Sequence, residues 1–212
     1  MIKKTSEQRW AVGGRRAGLV LALAATQLAG CAPLLVGGAV VGGTMMYVDR
    51  RTTGTQVEDQ SIEVKASNRA KEIAGDRSHV NVTSFNRTVL ITGEAATEAD
   101  KAAIEQAVQR VENVRSTVNE LAVTIPSSMS TRSNDSLLTG KVKATFIDAK
   151  DLQVNAFKVV TERGNVYLMG RVTEREATRA SDLARTVSGV QKVVRVFEIV
   201  TEAELAEIAP KK

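Results

Sequence analysis

The sequence predicts an α+β protein made of two tandem copies of one αββαβ module, and three observations predict it. The run Val89–Gly93 returns as Val166–Gly170, and each is followed by a Thr-Glu pair (Thr97-Glu98, Thr173-Glu174) and an Ala-rich stretch. Within each copy the apolar spacing changes from helical to two-residue alternation and back again. Aromatic residues are only 3% of the 212, so the cores must be built from Val, Ile, Leu and Ala, which suits compact modules better than a large enzyme with a deep pocket.

Each element has its own signal. In the first copy, residues 58–125, Ile62, Ala66, Ala70 and Ile73 recur at helical spacing, and Val80 and Val82 alternate with polar neighbours as a half-buried strand does. Asn86-Arg87 falls at a turn before the strand from Val89 to Thr92. Ile104, Ala107, Val108 and Val111 mark a second amphipathic helix, and residues 114–124 supply a third strand. The second copy, residues 134–201, repeats this order. Leu138, Val142 and Phe146 form its first helix stripe, Glu162 to Asn165 a Gly-containing hairpin turn, and Ala177, Ala180, Ala184 and Val187 its second helix. Residues 126–133 read as a polar linker and 202–212 as a tail. A three-stranded sheet covered on one face by two helices buries such a core without disulfides.

The N-terminal residues 1–30 have the pattern of an export signal: a basic start, a short apolar run from Ala17, and small residues before Cys31. Lys3, Lys4, Arg9, Arg15 and Arg16 stand against Glu7 there. The rest of the chain carries 24 basic and 23 acidic residues, so the net +5 resides mostly in the leader and gives no support to nucleic-acid binding. Leu28-Ala29-Gly30-Cys31 is similar to the bacterial lipobox, which implies lipid on Cys31 and acylation of the new amino terminus. Two or more chains are needed for stable anchoring. The alternative is an uncleaved span, because Ala17 to Val48 holds no charge; Pro33 and six glycines in the stretch oppose it. Residues 31–57 read as the lipidated N-terminus and a flexible tether. By resemblance to other lipoproteins, Ala32 after the cysteine implies sorting to the outer membrane, facing the periplasm.

Nothing in the sequence points to catalysis or to a cofactor. His79 is the only histidine, with no second histidine or spare cysteine to share a metal, and no Gly-X-Ser-X-Gly elbow or phosphate loop is present. The acidic residues that follow Gly93 and Gly170 sit where helices begin and suit the helix dipole. The chain reads as a non-enzyme.

The repeated unit resembles the BON domain, most clearly over Val166 to Glu176. The order of the whole chain, with its lipobox, Gly-rich stretch, Gly54 to Asp59 and two modules, is similar to dual-BON outer-membrane lipoproteins. On the second module's first helix, Leu137, Gly140, Lys141, Ala144 and Ile147 lie off the core stripe, and Lys141 and Lys143 edge them; the first module has Ser61, Val64, Lys65, Asn68 and Lys71 there. An apolar, basic-edged face of this kind suits an interfacial helix on anionic lipid, although it could equally pack on the other module. The resemblance implies that these residues bind anionic phospholipid and that the protein supports envelope integrity, with a role in cell division. The competing expectation is an adaptor for envelope assembly proteins.

Overall fold

The computed structural model describes residues 49–208, and the export signal, Cys31 and most of the tether lie outside them. The first module runs α1 (Thr53–Ala74), β1 (His79–Phe85), β2 (Thr88–Ala95), α2 (Glu98–Gln109), β3 (Ser116–Asn119) and β4 (Ala122–Val123). The second runs α3 (Met129–Asp148), β5 (Lys158–Glu162), β6 (Asn165–Val172), α4 (Glu174–Thr186) and β7 (Lys192–Ile199), followed by the short α5 (Glu202–Ile208). The predicted αββαβ order holds in both. In each sheet the second strand is central, antiparallel to the first and parallel to the last.

Three boundaries differ from the sequence expectation. Helix α1 begins at Thr53, inside the expected tether, because Thr52 caps it by accepting from the Thr55 N–H. Helix α3 begins at Met129, inside the expected linker, with Ser128 as its cap. The third strand of the first module is broken into β3 and β4 around Leu121, which turns into the core.

Local chemistry dictates the hairpins. Asn86 and Arg87, and likewise Arg163 and Gly164, all have positive φ, the two-residue type I′ geometry that matches strand twist. Gly93 and Gly170 recur for a steric reason. A Cβ at Gly93 would collide with the His79 carbonyl, and one at Gly170 with the carbonyl of Ala156. Thr97 and Thr173 cap α2 and α4, the latter in a full capping box with Glu176.

Each module has its own helix-side core. Ile62, Ala66, Val89, Ile91, Ile104 and Val108 build the first, and Val142, Phe146, Val166, Leu168, Ala177 and Ala180 the second. The opposite sheet faces pack on each other at their centre. Phe85 and Leu90 of the first module pack against Tyr167 and Met169 of the second, with Val118, Val160, Val194 and Val196 around them. The layers are thus helices, sheet, sheet, helices, and both faces of each central strand are buried. That arrangement explains why Val89-Leu90-Ile91 and Val166 to Met169 are unbroken apolar runs where a half-exposed strand would alternate.

Candidate functional site

Helix α3 is held by its inward face. Leu138, Val142 and Phe146 are buried, and Phe146 meets Phe157 edge-on at 5.4 Å. Asp135, also buried, accepts from the backbone N–H groups of Arg163 and Gly164, both at 2.8 Å, and so ties the helix to the β5–β6 turn. Asp59 does the same for the first module. It accepts from the N–H groups of Asn86 and Arg87 and from the Ser84 hydroxyl. Burial works to raise the Asp59 carboxyl, and these hydrogen bonds, with the Arg51 guanidinium, overcome it and hold the group below its ordinary value. Sequence reading missed this pair of aspartates. Their signal was available: each stands three residues before the first apolar core residue of its helix.

With that inner face fixed, the residues singled out from sequence fall together on the opposite side. Leu137, Gly140, Lys141, Ala144 and Ile147 are all exposed, within a helical arc of about 120°. Leu137 is 66% and Ile147 67% exposed, so this face does not pack on the other module. Met129, 73% exposed and two turns before Leu137, extends the apolar strip; the sequence reading had placed it in the linker. Among the described residues, Lys141 and Lys143 make no ion pair, whereas the corresponding Lys65 of α1 pairs with Glu112 at 3.2 Å. The two modules therefore present different outer faces on the same scaffold: α3 exposes Met129, Leu137 and Ile147 beside the unpaired Lys141, whereas α1 exposes the smaller Val57 and Val64, has Lys71 where α3 has Ile147, and pairs Lys65 with Glu112. Among the described residues, no helix is long and apolar enough to cross a membrane.

The end of the tether is also positioned. Arg50 donates to both carboxylate oxygens of Glu176, at 2.7 and 2.8 Å, and to the Arg171 carbonyl at 2.8 Å. The Arg50 and Glu176 side chains are 3% and 5% exposed. Burial opposes ionisation of Glu176, yet the Arg50 and Thr173 hydrogen bonds hold its carboxyl below the ordinary range. The chain thus enters the fold against the N-terminus of α4, on the second module. Cys31, the expected lipid-attachment residue, lies outside the described residues.

The chain is thus built from two αββαβ units in tandem, each with an aspartate on its first helix anchoring a type I′ hairpin. The BON domain family model matches residues 64–125 and 134–201, and the chain belongs to that family. It is 36% identical over 174 residues to the outer membrane lipoprotein DolP of Haemophilus influenzae, covering 81% of this chain and 89% of that protein. It is 31% identical over 155 residues to the 21 kDa hemolysin of Actinobacillus pleuropneumoniae, covering 72% and 80%. A solved structure, the C-terminal domain of the type III secretion protein CdsD of Chlamydia trachomatis, aligns with 63% of this chain and 96% of its own at 9% identity and a TM-score of 0.28.

Proposed function

We propose that this protein is a periplasm-facing outer-membrane lipoprotein that binds anionic phospholipid through the outward face of α3, supporting envelope integrity and acting at division sites. The observation that carries the reading is the exposed pair Leu137 and Ile147 flanking the unpaired Lys141. Burying a Leu or Ile side chain is worth about 1.5–3 kcal/mol, less where part is already covered. A lysine near an anionic surface adds about 1 kcal/mol, which salt screens. Two aliphatic side chains and two lysines then give roughly 4–6 kcal/mol before ordering costs, a dissociation constant between about 1 mM and tens of micromolar that ordering weakens to about millimolar.

A contact so weak matters because of the anchor. Eighteen residues lie between Cys31 and Arg50, a reach of at most roughly 65 Å. A tether of that length holds the second contact at an effective concentration near millimolar, comparable with its dissociation constant. Lipid on Cys31 keeps the protein at the membrane, and α3 engages reversibly according to local headgroup charge.

The test is vesicle flotation with residues 46–212. The unaltered chain should float with phosphatidylglycerol-containing vesicles and not with phosphatidylcholine alone. Leu137→Glu should abolish flotation, and Lys141→Ala should weaken it and flatten its salt dependence. If Leu137→Glu melts like the unaltered chain and floats equally well, the lipid reading fails and an adaptor binding an envelope protein through this face replaces it.

A further inference from the structure

At one edge of the interface between the two sheets lies a polar cluster that the lipid reading leaves unused. His79 on β1 and Glu94 on β2 face each other across the hairpin, with Nδ1 3.2 Å from Glu94 Oε2. Glu162, at the end of β5 in the other module, brings its Oε1 to 4.0 Å from the same nitrogen. One donor atom from each residue lies within 4.8 Å of the others. Both carboxylates are buried, Glu94 at 0% exposure. Glu94 Oε1 has no hydrogen-bond partner, and the Arg163 guanidinium opposite it is 3.6 Å away and itself 42% exposed. Glu94 Oε2 also accepts from the Ser127 hydroxyl at 3.3 Å, so this buried carboxylate is matched by one hydroxyl, the imidazole and a half-exposed guanidinium, which leaves its charge only partly compensated.

We propose that His79, Glu94 and Glu162 form a binding site for a zinc-class divalent transition-metal ion that bridges the two modules. Metal–donor bonds of 2.0–2.2 Å in a tetrahedral site imply donor separations of roughly 3.4 Å. The His79–Glu94 spacing of 3.2 Å already matches this, the His79–Glu162 spacing of 4.0 Å must close by about 0.6 Å, and the remaining one, within 4.8 Å, by at most about 1.4 Å. One imidazole and two carboxylates are a donor set that zinc accepts, and water takes the fourth position. A cleft of about 390 Å³ lined by Asn81, Arg132, Asp135 and Thr161 gives access to His79 and Glu162. Because the ligands come from both modules, the bound ion would clamp the sheet-to-sheet interface.

The experiment uses the full-length chain without an affinity tag, extracted in detergent, with free thiol alkylated and metal stripped by chelator. Titration with Zn²⁺ alone should reach one ion per chain. Co²⁺ should give the visible absorption of a low-coordinate nitrogen–oxygen site, abolished by added Zn²⁺. His79→Gln and Glu162→Gln should each weaken Zn²⁺ binding by roughly tenfold or more. Glu63→Gln, at the Lys158 ion pair elsewhere between the modules, should leave it unchanged. Lack of saturable binding by the unaltered chain would overturn the proposal. So would undiminished affinity in either His79→Gln or Glu162→Gln with native circular dichroism.

Discussion

Replacing Arg50 with Ala should destabilise the folded chain far more than its position in a tether-like sequence suggests. The guanidinium makes two charge-assisted hydrogen bonds to Glu176 and one to the Arg171 carbonyl, with both charged side chains almost wholly out of water. Removing one partner of such a pair leaves a buried carboxylate uncompensated, at a cost of about 3–5 kcal/mol. Removing both charges costs less, because no orphan remains. Arg50→Ala should therefore lose about 3–5 kcal/mol in urea unfolding of residues 46–212, and Arg50→Ala with Glu176→Gln should lose less than the sum of the single changes by about 1–3 kcal/mol. The exposed pair Arg185–Asp182 is the control, and breaking it should change stability by less than about 0.5 kcal/mol. An Arg50→Ala loss no larger than that control would refute the buried-anchor argument.

Met169→Ala removes a fully buried side chain between the sheets and should cost about 2–5 kcal/mol; hydrogen exchange should quicken at Val89–Ile91 in the first module as well as in β6, and protection unchanged in the first module would show that the sheets are not coupled. Gly170→Ala should destabilise by about 1–3 kcal/mol through its clash with the Ala156 carbonyl, while Gly140→Ala, with open space around it, should stabilise α3 by about 0.5–1 kcal/mol; thermal melts compare the two. Acid should unfold the protein. Asp59, Glu176 and Glu198 are held below their ordinary values of 3.8, 4.5 and 4.5, so the stability they contribute is present above those values and lost as pH falls through the lower folded values. Burial raises Glu162, which gains with acid and offsets part of that loss, so denaturant midpoints should fall below about pH 4 without a drop between pH 5 and 7.

The module order and the hairpin at Asn86-Arg87 were legible because each depends on residues close in sequence; the caps Thr52 and Ser128 are equally local but lie in stretches expected to be tether and linker, so the starts of α1 and α3 were not read. The outward face of α3 was legible for the same reason: helical spacing alone separates Leu137 and Ile147 from Leu138, Val142 and Phe146. The sheet-to-sheet interface was not read, although the unbroken Val166 to Met169 run carried its signal, because an apolar run records burial on both faces without naming what covers the second. Arg50 and the cluster of His79 with Glu162 were out of reach, since their partners lie 126 and 83 residues away and only the packing of the two sheets brings them together. His79 looked solitary because a search for metal ligands near it in sequence finds no cysteine or second histidine, whereas its companions are carboxylates on other strands.

The central claim is that the outward face of α3 enters an anionic bilayer while the equivalent face of α1 does not. Depth-dependent quenching tests it most directly, using residues 46–212, which lack Cys31, with an environment-sensitive fluorophore on Ala144→Cys or, separately, on Asn68→Cys. On mixing with phosphatidylglycerol vesicles that carry a quencher on the upper acyl chain, emission from position 144 should shift to shorter wavelength and be quenched. The label at position 68 should keep its aqueous spectrum. Equal quenching at both positions, or none at 144 under conditions where the protein floats with the vesicles, would contradict the assignment of this surface.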